Sequence, residues 1–167
     1  MVLIAHMQIN RATDYAVRAT VHLATVPTSV RVSGPALARA IGAPESFVAK
    51  ILQQLVQADL VTSKRGMRGG FQLARRAADI SLLEVVEAIE GPTQLNLCLP
   101  PVPDCDRREW CGAHPVWAEA QAALVKVLGK ASIAQLARDS TSNLAKLHRV
   151  LPVDRVESGA SRKRTGG

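Results

Sequence analysis

Two predicted helices separated by two residues constrain the fold more than any other feature of the sequence. Ser33 can cap a helix over Pro35–Ile41, and Gly42 is suited to end it. Pro44 can then open a second helix that runs to about Asp59. Two helices joined by so short a connection that contains glycine are typical of a helix-turn-helix.

A basic, glycine-rich turn follows this pair of helices. Short strands are predicted at Leu60–Lys64 and Phe71–Ala74, on either side of residues 65–70. The three glycines of the turn permit the positive φ angles of a tight hairpin, from which Arg65 and Arg68 project. A helix-turn-helix followed by a basic hairpin predicts a winged helix with a small two-stranded wing.

The remaining elements are predicted to be helical, so the fold class is mainly α. Only 3% of the residues are aromatic, so the core must be built from Ala, Leu, Val and Ile, which suits closely packed helices. Ser81 and Glu84 form a capping box, a motif that marks a helix start. Apolar periodicity and such capping signals predict further helices over residues 11–26, 82–90, 115–128 and 133–139.

The second helix of the helix-turn-helix is the candidate reader of DNA bases. Its apolar residues Phe47, Ile51, Leu52 and Leu55 are predicted to face the core. The residues predicted to face bases are Ser46, Ala49, Lys50 and Gln53. We expect Arg65 and Arg68 to hold phosphates or to enter the minor groove. The net charge of +7 favours double-stranded DNA as the partner, although a winged helix used only for protein contacts is the alternative.

Residues 92–113 have no helical or strand periodicity. They contain three cysteines, and a histidine, His114, follows them directly. The spacing is Cys98-x6-Cys105-x5-Cys111-x2-His114. Thiolates on a flexible loop suit zinc or an iron–sulphur cluster. Three ordinary thiols, with at most one redox disulfide, are the alternative. His114 and Asp14 are candidates for a fourth ligand, and each also has a simpler interpretation as a surface residue.

The sequence argues against an enzyme and against a membrane protein. It shows no paired nucleophile and base, no phosphate-cradling loop and no carboxylate pair. It also has no run of about 20 apolar residues. The segment Met1–His6 lacks the basic start of a secretory leader, so we expect the protein in the cytoplasm.

The chain resembles a known group of proteins, the bacterial winged-helix regulators. This group is typified by the iron–sulphur cluster regulator IscR, the nitric-oxide-sensitive repressor NsrR and the iron regulator RirA. The resemblance covers residues 7–137. It rests on Met7–Arg18, Arg65–Phe71, Ile80–Val86 and the cysteine loop, taken in this order.

The resemblance implies a homodimer that is joined through the long helix Pro115–Leu128 and binds a palindromic operator. It also implies an iron–sulphur cluster, easily lost in air, that is held by Cys98, Cys105 and Cys111. The fourth ligand differs within the group. His114 is similar to the ligand of a 2Fe–2S site, whereas Asp14 of the partner subunit is similar to the ligand of a 4Fe–4S site.

Four regions are expected from these observations. Residues 7–91 form a winged-helix DNA-binding domain, and residues 92–113 form the cluster-binding loop. Residues 114–139 supply the dimerisation helix and a short helix after it. The Ser/Gly-rich end, residues 150–167, is expected to be disordered. The predicted function is a DNA-binding regulator that senses redox, nitric oxide or iron status, with zinc or thiol–disulfide sensing as the alternative.

Overall fold

The computed structural model of the chain describes residues 9–66 and 69–150. In chain order its elements are α1 (Arg11–Thr25), α2 (Gly34–Ile41), α3 (Glu45–Gln57), β1 (Val61–Lys64), β2 (Gly70–Leu73), a 3₁₀ helix (Ala77–Asp79), α4 (Leu82–Glu90), α5 (His114–Lys130) and α6 (Ile133–Val150). The two strands form one antiparallel hairpin directly after the α2–α3 pair. The predicted mainly α winged helix-turn-helix is therefore confirmed.

The chain divides after Ala137 into two units. The first unit contains every element up to the first turn of α6. In the second unit, which begins at Arg138, the described residues are the remainder of α6. Within the described ranges, no helix combines the length and the apolar character that crossing a bilayer requires.

Small and branched aliphatic side chains build the core, as the scarcity of aromatic residues predicts. Ala16 and Ala19 on α1 and Ala38 on α2 are buried, which lets the helix backbones approach closely. Larger side chains fill the space between the helices. These are Leu37 on α2 and Val48, Ile51, Leu52 and Leu55 on α3, together with Leu60, Ile80, Val85 and Ile133.

The residues predicted to cap helices do so in the structure. The Ser33 hydroxyl accepts a hydrogen bond from the Ala36 N–H at the start of α2. Gly42 ends that helix in the left-handed conformation, with φ of 66°. At the start of α4, the Ser81 hydroxyl accepts from the Glu84 N–H and the Glu84 carboxylate accepts from the Ser81 N–H. This capping box satisfies two backbone donors that a helix start otherwise leaves free.

Two predictions about helix α3 were wrong. The helix begins at Glu45, with Pro44 as its N-cap in an extended conformation rather than as its first residue. Phe47 does not face the core: it is 51% exposed, and Val48 takes the buried position instead. Val48 lies three and four residues before Ile51 and Leu52, so these residues share one helix face. The Phe47 ring packs edge-on against the ring of Tyr15 on α1, with 6.5 Å between centroids.

The end of α6 was also predicted wrongly. The helix continues to Val150 rather than stopping near Asp139. No proline or glycine occurs between Asp139 and Val150, so nothing in this stretch breaks a helix. The predicted disordered tail, residues 150–167, lies outside the described residues except for its first residue.

The wing is fixed to the segment that precedes α2. Val32 forms an antiparallel bridge with Phe71: the Val32 N–H donates to the Phe71 carbonyl at 2.9 Å, and the Phe71 N–H donates to the Val32 carbonyl at 2.8 Å. Gly70 precedes Phe71 with φ of 135°. A Cβ at Gly70 would lie 2.7 Å from the Val32 carbonyl oxygen, so only glycine fits this approach.

Helix α5 follows the cysteine loop, and the residues just after it are hydrogen-bonded to the residues around the start of α4. The Leu82 N–H donates to the Ala131 carbonyl at 2.8 Å, and the Ile133 N–H donates to the Ile80 carbonyl at 2.9 Å. Ser81 and Ser132 face each other in this short bridge. The end of α5 is therefore attached to the start of α4.

The start of the cysteine loop is attached to the start of α1. Glu90, the last residue of α4, accepts hydrogen bonds from the Thr13 hydroxyl and from the Asn10 N–H. Thr13 is fully buried, and its N–H donates to the Asn10 side chain, which caps α1. A carboxylate at a helix C-terminus interacts unfavourably with the helix dipole, and these two hydrogen bonds offset that cost.

Replacing Gly70 with Ala is expected to destabilise the fold by about 1–3 kcal/mol, because the new methyl group meets the Val32 carbonyl in a strained backbone conformation. Gly42→Ala is the matched control. Gly42 also has a positive φ, but a Cβ there has no neighbour within 4 Å. Urea denaturation of both variants measures the difference, and an equal loss in the two would contradict the proposed contact.

The capping box predicts a pH-dependent stability. Partial burial raises the pKa of Glu84, but the Ser81 N–H, the Arg75 guanidinium and the Ser81 hydroxyl lower it more, so the net pKa lies below the usual value of a glutamate. Because the folded-state pKa is depressed, the ionised carboxylate stabilises the fold above the unfolded-state pKa, and this contribution is lost as the pH falls through the lower folded-state value.

We therefore expect Glu84→Gln to reduce the free energy of unfolding at neutral pH. The gap from the unchanged protein should shrink as the pH is lowered to about 3. Chemical denaturation at several pH values tests this. A gap that stays constant across the series would show that the charge of Glu84 is not involved.

Candidate nucleic-acid interface and cysteine loop

Helix α3 presents its predicted base-reading residues to solvent. Its buried side is formed by Val48, Ile51, Leu52 and Leu55, and the four candidate residues occupy the opposite side. These four exposed residues are Ser46, Ala49, Lys50 and Gln53. The helical period therefore separates a core face from a polar face, as the sequence predicted for these positions.

A groove of about 790 Å³ runs between α3 and the wing. Ala49 and Gln53 line it from the helix side, and Lys64 and Arg65 line it from the wing side. Ser46 and Lys50 lie on the same exposed face of α3, outside the groove lining. Arg68, the second predicted phosphate contact, lies outside the described residues.

One acidic residue of this groove was missed by the sequence reasoning. Glu45, the first residue of α3, also lines the groove and is exposed. A sequence signal was present, because Glu45 stands four residues before Ala49 and so shares its face. The groove is therefore not uniformly basic: its cations are on the wing, and its helix side carries an amide and a carboxylate.

The three cysteines are free thiols in different environments. Cys98 is 5% exposed, Cys111 is half-buried and Cys105 is exposed. Among the described residues, no three His, Cys, Asp or Glu side chains are grouped closely enough to hold a metal ion. The structure thus places all three thiols on one loop but does not bring them together.

The two candidate fourth ligands differ in their surroundings. His114 begins α5, and its N–H donates to the Cys111 carbonyl at 3.1 Å. Its Nδ1 atom is buried and has no hydrogen-bond partner among the described residues, which leaves a donor or acceptor unsatisfied. The Asp14 carboxylate instead forms an ion pair with Arg18 at 2.8 Å, and both side chains are about half exposed.

The donor chemistry of the loop fits an iron–sulphur cluster or zinc, because three thiols and an imidazole with a free ring nitrogen are suitable ligands. The placement does not fit a preassembled metal site. A shared centre therefore requires the loop to rearrange so that the three sulphurs converge.

Glutamine side chains hold the first part of the loop, and sequence reasoning missed them. Gln121 on α5 contacts the backbone of Leu95 and Pro100, and Gln94 contacts the backbone of Leu99 and Val102. Nothing in the local sequence marks these glutamines, since their partners are set by the path of the loop. The first turn of the loop is thereby attached to α5.

The chain matches the Rrf2 family, described as an iron-dependent transcriptional regulator, over residues 9–139. The protein rrf2 of Nitratidesulfovibrio vulgaris is 30% identical over 135 residues, which cover 81% of this chain and 90% of that protein. The Mycobacterium tuberculosis protein Rv1287, provisionally named an HTH-type transcriptional regulator, is 42% identical over 86 residues. That match spans about half of each protein, 52% of this chain and 53% of Rv1287.

Solved structures show the same fold. IscR of T. potens superposes with a TM-score of 0.66 at 23% identity, covering 83% of this chain and 91% of that one. CymR, the global cysteine regulator of B. subtilis, gives a TM-score of 0.65 at 21% identity, covering 79% and 97%. Family and relatives are transcriptional regulators rather than enzymes. The match over residues 9–139 and the winged-helix fold together establish that the chain belongs to the Rrf2 family of transcriptional regulators.

Proposed function

We propose that the protein is a homodimeric regulator that binds a palindromic operator in double-stranded DNA in the cytoplasm. The observation that carries the proposal is the groove between α3 and the wing, where Gln53 on the helix side faces Lys64 and Arg65 on the wing side. In this proposal residues 7–91 contact DNA. Residues 92–113 carry the sensor, and residues 114–139 join the subunits.

The chemistry of the exposed face of α3 suits the major groove. Gln53 can pair with adenine through two hydrogen bonds, and Lys50 can donate to guanine. Ser46 can bond to several bases, and the methyl group of Ala49 can contact thymine. Arg65 on the wing neutralises phosphates, and so does Arg68, which lies outside the described residues; such contacts position the protein without reading sequence.

The exposed surface of helix α5 is consistent with the proposed dimer. None of its residues is buried by the described part of the chain, and its apolar residues Val116 and Val127 are 65% and 66% exposed. An apolar helix of this length, left uncovered, is the surface that a second copy would bury. A two-fold axis through such a contact repeats the α3 groove and so requires a palindrome, with half-sites about one helical turn, or ~34 Å, apart.

Single substitutions should separate phosphate binding from base reading. Arg65→Ala is expected to weaken binding to every duplex and to lower the salt dependence by about one counterion, because it removes one phosphate contact. Gln53→Ala and Lys50→Ala are each expected to cost about 1–3 kcal/mol on a selected operator and much less on random DNA. Titrations of both duplexes at several salt concentrations give all of these quantities.

Arg108→Ala is the matched control, since Arg108 is an exposed cation outside both the groove and the proposed dimer helix. It should bind both duplexes as the unchanged protein does. If Arg108→Ala weakened binding as much as Arg65→Ala, the affinity would come from overall charge, and the groove would not be the DNA site.

We further propose that Cys98, Cys105 and Cys111 hold an iron–sulphur cluster after the loop rearranges, with His114 or Asp14 of the partner subunit as fourth ligand. Membership of a family described as iron-dependent supports this, as does the buried, unpartnered Nδ1 of His114. Zinc or thiol–disulfide sensing by the same loop is the second candidate. Within this candidate, a disulfide needs only two of the three separated free thiols to meet.

Anaerobic reconstitution with iron and sulphide separates these candidates. We expect a coloured protein, with a Mössbauer spectrum that distinguishes 2Fe–2S from 4Fe–4S. Serine at any of the three cysteines should abolish the visible absorbance. His114→Ala and Asp14→Ala should differ, because only the variant that removes a ligand loses or alters the spectrum. A protein that stays colourless and binds zinc, or that binds no metal, would overturn the cluster.

A further inference from the structure

Cys98 lies in a closed turn, which we call the Cys98 turn and define as Leu95–Pro100. The Leu99 N–H donates to the Asn96 carbonyl at 3.0 Å inside this turn. The side chains of Cys98 and Leu99 are both buried, whereas Leu97 between Asn96 and Cys98 is exposed. The turn therefore directs the Cys98 sulphur inward, away from solvent.

Both ends of the Cys98 turn are held by one side chain of α5. The Leu95 N–H donates to Gln121 Oε1 at 3.0 Å, and Gln121 Nε2 donates to the Pro100 carbonyl at 3.1 Å. A single amide thus closes the turn with two hydrogen bonds. Gln121 lies seven residues after His114, which is two helical turns, so both side chains lie on one side of α5.

A second amide supports the closed turn from within the loop. Gln94 Nε2 donates to the Leu99 carbonyl at 2.7 Å and to the Val102 carbonyl at 3.0 Å. These bonds connect the loop with itself, whereas those of Gln121 connect it with α5. Of the two glutamines, only Gln121 can therefore link the state of the turn to the position of the helix.

We infer that Gln121 is a positioning residue. Its two hydrogen bonds to the Cys98 turn, which we call the latch, keep the Cys98 thiol buried, and the thiol joins the other two cysteines only when these bonds break. The ligand role of Cys98 rests on the proposed function, but the protection of its thiol does not. Opening breaks both hydrogen bonds of Gln121, exposes Leu99 to water and releases a polar side chain on α5. The same event thus frees a sulphur and changes the surface of the proposed dimer helix.

Site-resolved alkylation tests the latch in the full-length protein, reduced and free of metal. Iodoacetamide is added under native conditions, and mass spectrometry follows each cysteine. In the unchanged protein we expect Cys105 to react fastest, Cys111 more slowly and Cys98 slowest, in the order of their exposure. Gln121→Leu should raise the rate at Cys98 about tenfold, equivalent to about 1.4 kcal/mol, and leave Cys105 unchanged.

Two further variants separate the latch from general damage to the fold. Gln121→Glu keeps the length of the side chain and the acceptor for Leu95, but it places a carboxylate against the Pro100 carbonyl, so Cys98 should again react faster. Glu119→Ala, on the same helix and exposed, should leave all three rates unchanged.

Three results would overturn the latch: reaction of Cys98 as fast as that of Cys105 in the unchanged protein, no acceleration at Cys98 in either Gln121 variant, or a parallel rise at all three cysteines. The last would mean that substitution unfolds the loop as a whole. None of these rates depends on a bound metal or on DNA. A colourless protein with a protected Cys98 would therefore refute the cluster and leave the latch in place.

Discussion

The paired backbone hydrogen bonds between Val32 and Phe71 set the geometry of the groove between α3 and the wing. They attach the wing to the residues just before α2 and so fix its position relative to the helix-turn-helix. Gly70 makes this possible, because any Cβ there would meet the Val32 carbonyl. In the proposed DNA complex, base reading and phosphate binding engage one duplex at the same time, so Arg65 on the wing would need a fixed distance from Gln53 on α3.

Local signals were enough to predict the helix-turn-helix and the wing. Ser33, Gly42 and the Ser81–Glu84 pair each act within four residues of themselves, so their effect can be read from the chain alone. The orientation of Phe47 was beyond this approach. It depends on contact with Tyr15, which lies 32 positions earlier, and on Val48 as the better fit to the core.

The cysteine loop shows the same limit more clearly. Residue types and spacing identified Cys98, Cys105 and Cys111 as a potential ligand set, because that chemistry follows from composition. The placement of Cys98 involves contacts between residues 21 and 26 positions apart, those of Gln121 with Pro100 and Leu95. A short-range pattern carries no record of such contacts, so the ligand types were predictable and their arrangement was not.

The hydrogen bond between Glu90 and Thr13 joins the end of α4 to the start of α1, two helices that also pack directly against each other. Thr13 is fully buried, so water cannot replace the Glu90 carboxylate as the hydrogen-bond acceptor for its hydroxyl. A displacement of Glu90, the last residue of α4 before the cysteine loop, therefore disturbs a buried hydroxyl one residue away from Asp14, within the helix that packs directly on α3. Any loop conformation that moves this carboxylate thus carries an energetic cost inside the winged-helix body.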